Sequence, residues 1–544
     1  MNQTEIDPSD RHPVPLDATT PTDTQIKHTI GPTKRPFTDL HRPPGEFRNM
    51  VVSRVSRYAL VALLLHYLWR RTRRPKVCHP PSPPSLPFIC NLFSIPPGHE
   101  HLAFAKLGEQ LKSDIVYLEM LGHKLVILNS AEAALEILEK RAASHSDRPS
   151  VPMIKDPTLM NWPENLGLLG YTDTWRHYRR MLNNWLNKRA VTQFDGLQQR
   201  QARSLLQRLL SATDCVQPFE DVKNEIFFAM GSLTFQLAYG YQPKDPQDQF
   251  LKEAQLSIHN VSSAGMQTNF LVNVFPALRH IPDWFPGTGW KRIATKYRVQ
   301  QEKAKSEPYE WVQSQIANGT HQPSVLASLL QGHNLLSGLS LEERDKRLKE
   351  IGIALFGAGT DTSANFFVAF VAAMVTNPHA QAKAQLELDA VLGQAVVPKI
   401  SDRERLPYIQ NLIDEIFRLY PVAPLGNVWA MGRDPRHYQD PEVFNPDRYL
   451  DSNVPRPPVF GWGRRKCPGI HFAETSVFIN VASLLATFTF SKKKDESGQE
   501  ITPQIEAERN SIMCELKPFD FELKPRSEEH RRLILRVAVD GEQS

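Results

Sequence analysis

The chain has 544 residues, 41% of them hydrophobic, and a formal net charge of +5 from 64 Lys and Arg against 59 Asp and Glu. That length exceeds the usual single core, yet no linker divides its last three quarters, so one large domain is expected. A charge this small, without concentrated Lys/Arg tracts, speaks against nucleic acid as a partner. Five scattered cysteines (Cys78, Cys90, Cys215, Cys467, Cys514), none in a C-x-x-C pair, speak against a disulfide framework or a zinc site and suit a reducing compartment.

In chain order, residues 1–49 are rich in Pro, Thr and Asp and too poor in apolar side chains to offset the entropy of ordering, so they are expected as a disordered tail. The acids Glu5, Asp7, Asp10 and Asp17 in it are wrong for a mitochondrial transit peptide. Residues 50–74 are expected to form a membrane anchor. Its apolar run, Tyr58 to Trp69, is 12 residues long and ends in Arg70, Arg71, Arg73 and Arg74, a cytoplasmic-side marker. A full span needs roughly 20 residues, so an interfacial helix competes with it. Residues 75–91 form a proline-rich hinge, densest from His79 to Pro87 and stiff enough to act as a spacer. The remainder, 92–544, reads as the functional domain. Helical periodicity dominates, as at Ala131–Lys140 and Phe194–Leu210, with β-branched segments at Ile115–Leu118 and Leu125–Leu128, so the fold class is mainly α with small β-sheets. The apolar, proline-broken stretches Phe270–Pro276 and Ile281–Pro286 are either packed loops or a substrate entrance touching a bilayer.

Chemistry concentrates in Phe460-Gly461-Trp462-Gly463-Arg464-Arg465-Lys466-Cys467-Pro468-Gly469, which leads into an apolar helical run from Ile470 to Leu485. A cysteine where a loop enters a helix meets orphan N–H groups and the positive end of the helix dipole. With Arg464, Arg465 and Lys466 adjacent, its sulfur is expected to be anionic near neutral pH. Pro468 suits the first helical position, and the glycines allow backbone to approach a flat ligand. An inert core thiol is the bland alternative, but three cations and three glycines do not usually surround one.

A second stretch, Ile351 to Val375, is apolar except for Thr360-Asp361-Thr362-Ser363 and Asn365. A membrane span would carry Asp361 at great cost, and an N-cap between two helices is the other rival. Two weaker features are Glu415 and Arg418, three apart on one helix face, and Trp175-x-x-x-Arg179, an aromatic and a cation one turn apart.

Phe460, Gly463, Arg465, Cys467 and Gly469 together resemble the haem-binding signature of the cytochrome P-450 superfamily, and Ala358-Gly359-x-Asp361-Thr362 resembles its oxygen-activation motif. From the hinge near Pro80 to the region of Phe521, the chain is similar to fungal secondary-metabolism members of the O-methylsterigmatocystin oxidoreductase-like type. The resemblance implies a cytochrome P-450 fold and haem b, with the Cys467 thiolate as axial ligand of the iron. Phe460, Gly463, Arg465, Gly469, Trp175, Arg179, Ala358 and Gly359 would lie against the cofactor, with Trp175 and Arg179 at a propionate. Thr362 would act in dioxygen activation and Asp361 in proton relay. Glu415, Arg418 and Arg448 of Pro446-Asp447-Arg448-Tyr449 would form one buried network. The implied activity is monooxygenation of a lipophilic small molecule, in secondary metabolism or xenobiotic oxidation. No Walker loop or G-x-G-x-x-G fingerprint occurs, so electrons would come from an NADPH-dependent flavoprotein reductase. The implied place is the endoplasmic reticulum membrane, catalytic domain facing the cytoplasm.

The chain departs from this pattern after Gly426, where relatives insert roughly two dozen residues, several strand lengths, of sheet and hairpin. That segment normally lines the substrate pocket and supplies a propionate contact. Part of the sheet region is therefore expected to be missing. The stretch from Leu450 to Phe460 is also short, and Cys90 stands where the family prefers glycine. The alternative reading is a catalytically impaired haem binder or an incomplete gene model.

Overall fold

A computed structural model describes residues 78–542, except 87–89, 96–97, 121, 267–268, 333, 423–426 and 509–512. The expected tail, the anchor and parts of the hinge, together with the junction before Asn427, lie outside the described residues.

Helix α1 (Glu100–Leu111) precedes an antiparallel hairpin of β1 (Ile115–Met120) and β2 (His123–Leu128), in register from Ile115 opposite Leu128 to Met120 opposite His123. A short helix at Ala131–Ala134 passes into a π-helical turn at Leu135–Lys140. There follow α2 (Asp173–Leu186), α3 (Asp195–Ala212), α4 (Phe219–Tyr239), α5 (Gln249–Gly265) and α6 (Gly289–Ala317). Next come α7 (Leu341–Thr376), α8 (Pro378–Leu392), α9 (Pro407–Leu419) and α10 (Ile470–Thr487). Near the C-terminus β3 (Phe488–Ser491) pairs with β6 (Glu522–Pro525) and β4 (Lys493–Lys494) with β5 (Glu500–Ile501), before α11 (Glu528–Glu542). The expected mainly-α class with small sheets is what the chain forms.

Local chemistry sets the helix starts. Thr172 accepts the Trp175 N–H at the head of α2, Asp248 accepts those of Phe250 and Leu251 at α5, and Ser340 accepts that of Glu343 at α7. The C-terminal half of α7 is buried on every side, from Ala364 to Val375, and packs with α3, α4, α9, α10 and β3 in the main apolar core. A helix apolar all round belongs in a core or a membrane. Both α7 and α10 are long and apolar enough to cross a membrane, but 72% of each apolar window is buried within the protein, so both serve as core helices.

The network of Glu415, Arg418 and Arg448 forms as expected and fixes the end of α9. The Glu415 carboxylate accepts Arg418 Nε and Nη2, each at 2.8 Å, and Arg448 Nε at 3.0 and 3.1 Å. Arg418 also donates to the carbonyls of Gly432, Pro441 and Val443, and Arg448 to those of Gln439 and Val443. Glu415 and Arg418 have no exposed side-chain surface, so these bonds replace their whole hydration. Beyond the junction the chain resumes at Asn427 in the left-handed region (φ 49°), which asparagine tolerates, and its amide donates to Asn129 Oδ1, just past β2.

Candidate functional site

Cys467 sits in the turn that feeds α10. Its own N–H donates to the Phe460 carbonyl at 2.9 Å, closing the loop, and the N–H of Gly469 is directed at its sulfur. Helix α10 begins at Ile470 with Gly469 as its N-cap. Pro468 therefore lies in the turn ahead of the helix, not at its first position as expected. Gly463 has φ 55°, and a Cβ there would collide with the carbonyl oxygen of Leu138; its N–H donates to the Glu139 carboxylate. That glycine is required by the π-helical turn at Leu135–Lys140, a reason the sequence did not display.

Burial pushes the Cys467 thiol above its ordinary value, opposed only in part by the Gly469 N–H and the Arg179 charge. Two of the three neighbouring cations are engaged elsewhere. Arg464 donates to the Tyr171 hydroxyl, Arg465 donates to the carbonyls of Ser146 and Leu169, and Lys466 lends its own carbonyl to Arg179 Nη2 at 2.8 Å. Arg464 and Arg465, adjacent in sequence, are held by these partners, while a cation 288 positions away acts on the sulfur.

Trp175 and Arg179 on α2 do meet the cysteine loop. The buried Trp175 ring lies within cation–π reach of two guanidiniums, that of Arg465 at 4.3 Å and that of Arg179 at 5.6 Å from its centre. Arg465 is pulled down to about 10 by desolvation, then by the Arg148 charge; Arg148 and Arg179 are also held below the ordinary guanidinium range, chiefly by desolvation. Asp147 offsets part of this repulsion. The result is a group of three arginines with an excess of positive charge, suited to a dianionic ligand. Arg148, in Ser146-Asp147-Arg148-Pro149, was missed by sequence reasoning. No spacing rule ties it to Cys467, and only the fold brings it to Arg465. Phe460 packs edge-on against Phe417 of α9, whose ring meets Phe366 of α7.

On α7, Ala358 is exposed although the helix around it is mostly buried, and Asp361 and Thr362 are half-buried. Thr362 donates to the Ala358 carbonyl at 2.6 Å, and Asn365 donates to the Asp361 carbonyl at 2.9 Å. Burial, then the charge of Glu515, raises the Asp361 carboxyl to about 6. The side chain that Gly359 lacks would meet Thr234 of α4 at 2.7 Å, and Gly357 leaves no room for one beside Ile258 of α5. Here the glycines let α4 and α5 cross α7 closely, and the hydroxyls of Thr234 and Thr360 join across that contact at 2.8 Å.

A family model described as Cytochrome P450 matches residues 80–427 and 425–521, two segments that meet at the junction after Gly426. A cytochrome P450 monooxygenase of Armillaria gallica is 31% identical over 508 residues, covering 87% of this chain and 98% of that protein. Cytochrome P450 monooxygenase 98 of Postia placenta is 32% identical over 502 residues, with coverages of 86% and 94%. Tryptamine 4-monooxygenase of Psilocybe cyanescens is 31% identical over 467 residues, with coverages of 79% and 90%. Among solved structures, a zebrafish cytochrome P450 with progesterone superposes with a TM-score of 0.62 at 21% identity, over 78% of this chain and 99% of that one, a likeness of fold. The chain belongs to the cytochrome P450 family. It is a haem monooxygenase of the fungal type, an oxidoreductase that incorporates oxygen from dioxygen into a small molecule, with cysteine-thiolate ligation of its haem and electrons from a redox partner. The alternative of an impaired haem binder or incomplete gene model draws no support from these relatives.

Proposed function

We propose that this chain binds haem b through Cys467 and oxidises a lipophilic small molecule of fungal secondary metabolism. The carrying observation is a buried thiol at the head of α10 beside three under-neutralised arginines, since such a place suits a metal cation bearing two carboxylates. The residues fit the group. Arg148, Arg179 and Arg465 would take its carboxylates, Trp175 would lie beside two of those cations, and Phe460, Gly463 and Gly469 would shape the loop under it. Ala358 would face it from α7, whereas Gly359 is turned toward Thr234 of α4. When bound, haem supplies the dioxygen chemistry, and the thiolate tunes its iron. Cys467 would hold the iron as its thiolate. Thr362 would hold a proton near the reacting oxygen, and Asp361, poised near neutrality, would pass protons from outside.

Leu271, Phe275, Trp284 and Phe285 are exposed between α5 and α6, with Trp284 at 80%, while Phe270 and Val272 beside them are buried. This reading assigns the exposed four to contact with the endoplasmic reticulum bilayer, the catalytic domain facing the cytoplasm. An NADPH-dependent flavoprotein reductase would dock near the basic loop at Arg464. Replacing Trp284 and Phe285 by serine in an anchor-deleted form should weaken liposome flotation; unchanged binding would refute the bilayer contact. The main test is the carbon monoxide difference spectrum of the reduced full chain beside Cys467→Ser. The expected result is a strongly red-shifted Soret band that disappears in the variant. Folded protein without that band would overturn the proposal.

A further inference from the structure

We infer that Ile258 of α5, seated in the notch left by Gly357 of α7, sets the thickness of the molecule this protein accepts, admitting a flat ring and turning away a thicker one. The inference deepens the haem reading above and rests on it. From Ile351 onward α7 is mostly buried, yet Ala358 is exposed and Ala354, Gly357, Asp361 and Thr362 are half-buried. Their spacing puts the five on one face of the helix, so an open stripe runs past the two residues given roles in the dioxygen chemistry. At 354, 357 and 358 that stripe carries one side-chain carbon or none. A ligand there can lie against helix backbone.

What limits the stripe comes from α5. A Cβ at Gly357 would collide with Ile258 Cδ1 and stand 2.9 Å from its Cγ1, so the isoleucine already fills that place. Helix α5 buries Ala254, Ser257 and Asn260, while Ile258 stays half-buried and packs against the apolar core from its open side. A β-branched side chain is stiff about χ1, so it yields little to a ligand. The space beside Ala358 therefore has helix backbone along one wall and a fixed, branched hydrocarbon at its edge. A planar ring lies along such a wall in full contact, whereas a ring of the same carbon number but greater thickness overlaps Ile258.

Azoles that ligate haem iron through nitrogen give a readout that needs no turnover. In the full chain with haem, 4-phenylimidazole should shift the Soret band at about tenfold lower concentration than 4-cyclohexylimidazole, which has as many carbons in a thicker ring. Ile258→Ala removes three carbons and should bring the two compounds within about twofold of each other, by tightening the cyclohexyl one. Should that variant fold poorly, Ile258→Val removes Cδ1 alone and should narrow the ratio part of the way. Urea unfolding reads the same contact without a ligand. Gly357→Ala would ordinarily favour a helix, but here it should lower the unfolding midpoint, and Ile258→Ala should abolish that loss in the double variant. Loss of the carbon monoxide band in wild type would sink the haem reading and this inference with it. A normal band with the same azole ratio in wild type and Ile258→Ala, or a Gly357→Ala effect that Ile258→Ala leaves unchanged, would overturn this inference alone.

Discussion

Two arginine clusters in this molecule look alike in sequence and behave oppositely in space. Around Glu415, the guanidiniums of Arg418 and Arg448 share one carboxylate and spend their other donors on backbone carbonyls. Around the cysteine loop, Arg148, Arg179 and Arg465 also reach carbonyls, but among the described residues Asp147 is the one carboxylate acting on Arg148 and Arg465, and each of the three is held below the ordinary guanidinium range. The first cluster is complete within the protein and so is structural. The second retains surplus charge, which an anionic ligand would neutralise. Unspent electrostatic capacity separates a binding site from a brace.

The contrast can be broken at either cluster. The largest effect is expected from Glu415→Ala, which leaves two buried cations without their carboxylate and should cost about 3–5 kcal/mol in urea unfolding. Next, Arg465→Gln should leave unfolding nearly unchanged but loosen haem by roughly ten- to a hundredfold, read as haem transfer to apomyoglobin, since a charge-assisted hydrogen bond contributes about 1.5–3 kcal/mol. Arg148→Gln should loosen it less, by a few-fold, because Arg148 is more exposed. If Arg465→Gln instead destabilises the fold as much as Glu415→Ala does, the distinction fails. A separate effect, on pH dependence, concerns Asp361. Its folded carboxyl is raised to about 6, so its contribution to stability is full below the unfolded value near 4 and is lost as pH rises through 6. Asp361→Asn should therefore be more stable than wild type at pH 7.5, by on the order of 2 kcal/mol, and equal to it near pH 4. Paired urea titrations at the two pH values check this.

Much of this was legible in the sequence, and the remainder was hidden for physical reasons. Cys467 ahead of an apolar helix, the long apolar run around Asp361 and the strands flanking residue 121 follow from periodicity and from residues with few other uses. Orientation was not legible. Arg464 and Arg465 stand beside the cysteine in the chain, yet Tyr171, Ser146 and Leu169 decide where they point, and those partners come from distant segments. The same holds for Gly359, whose missing side chain is explained by Thr234 on a neighbouring helix. Local pattern sets the elements, and partners brought in by the fold set the direction of long side chains.

The meeting of Gly463 with the π-helical turn at Leu135–Lys140 has a consequence for how such a protein can change over generations. A residue inserted in that turn moves the Leu138 carbonyl against which the cysteine loop rests, and a side chain gained at 463 pushes back on the turn. The two segments, more than 300 positions apart, are therefore a single unit of inheritance. Neither can drift alone without displacing the cysteine loop and the helix that follows.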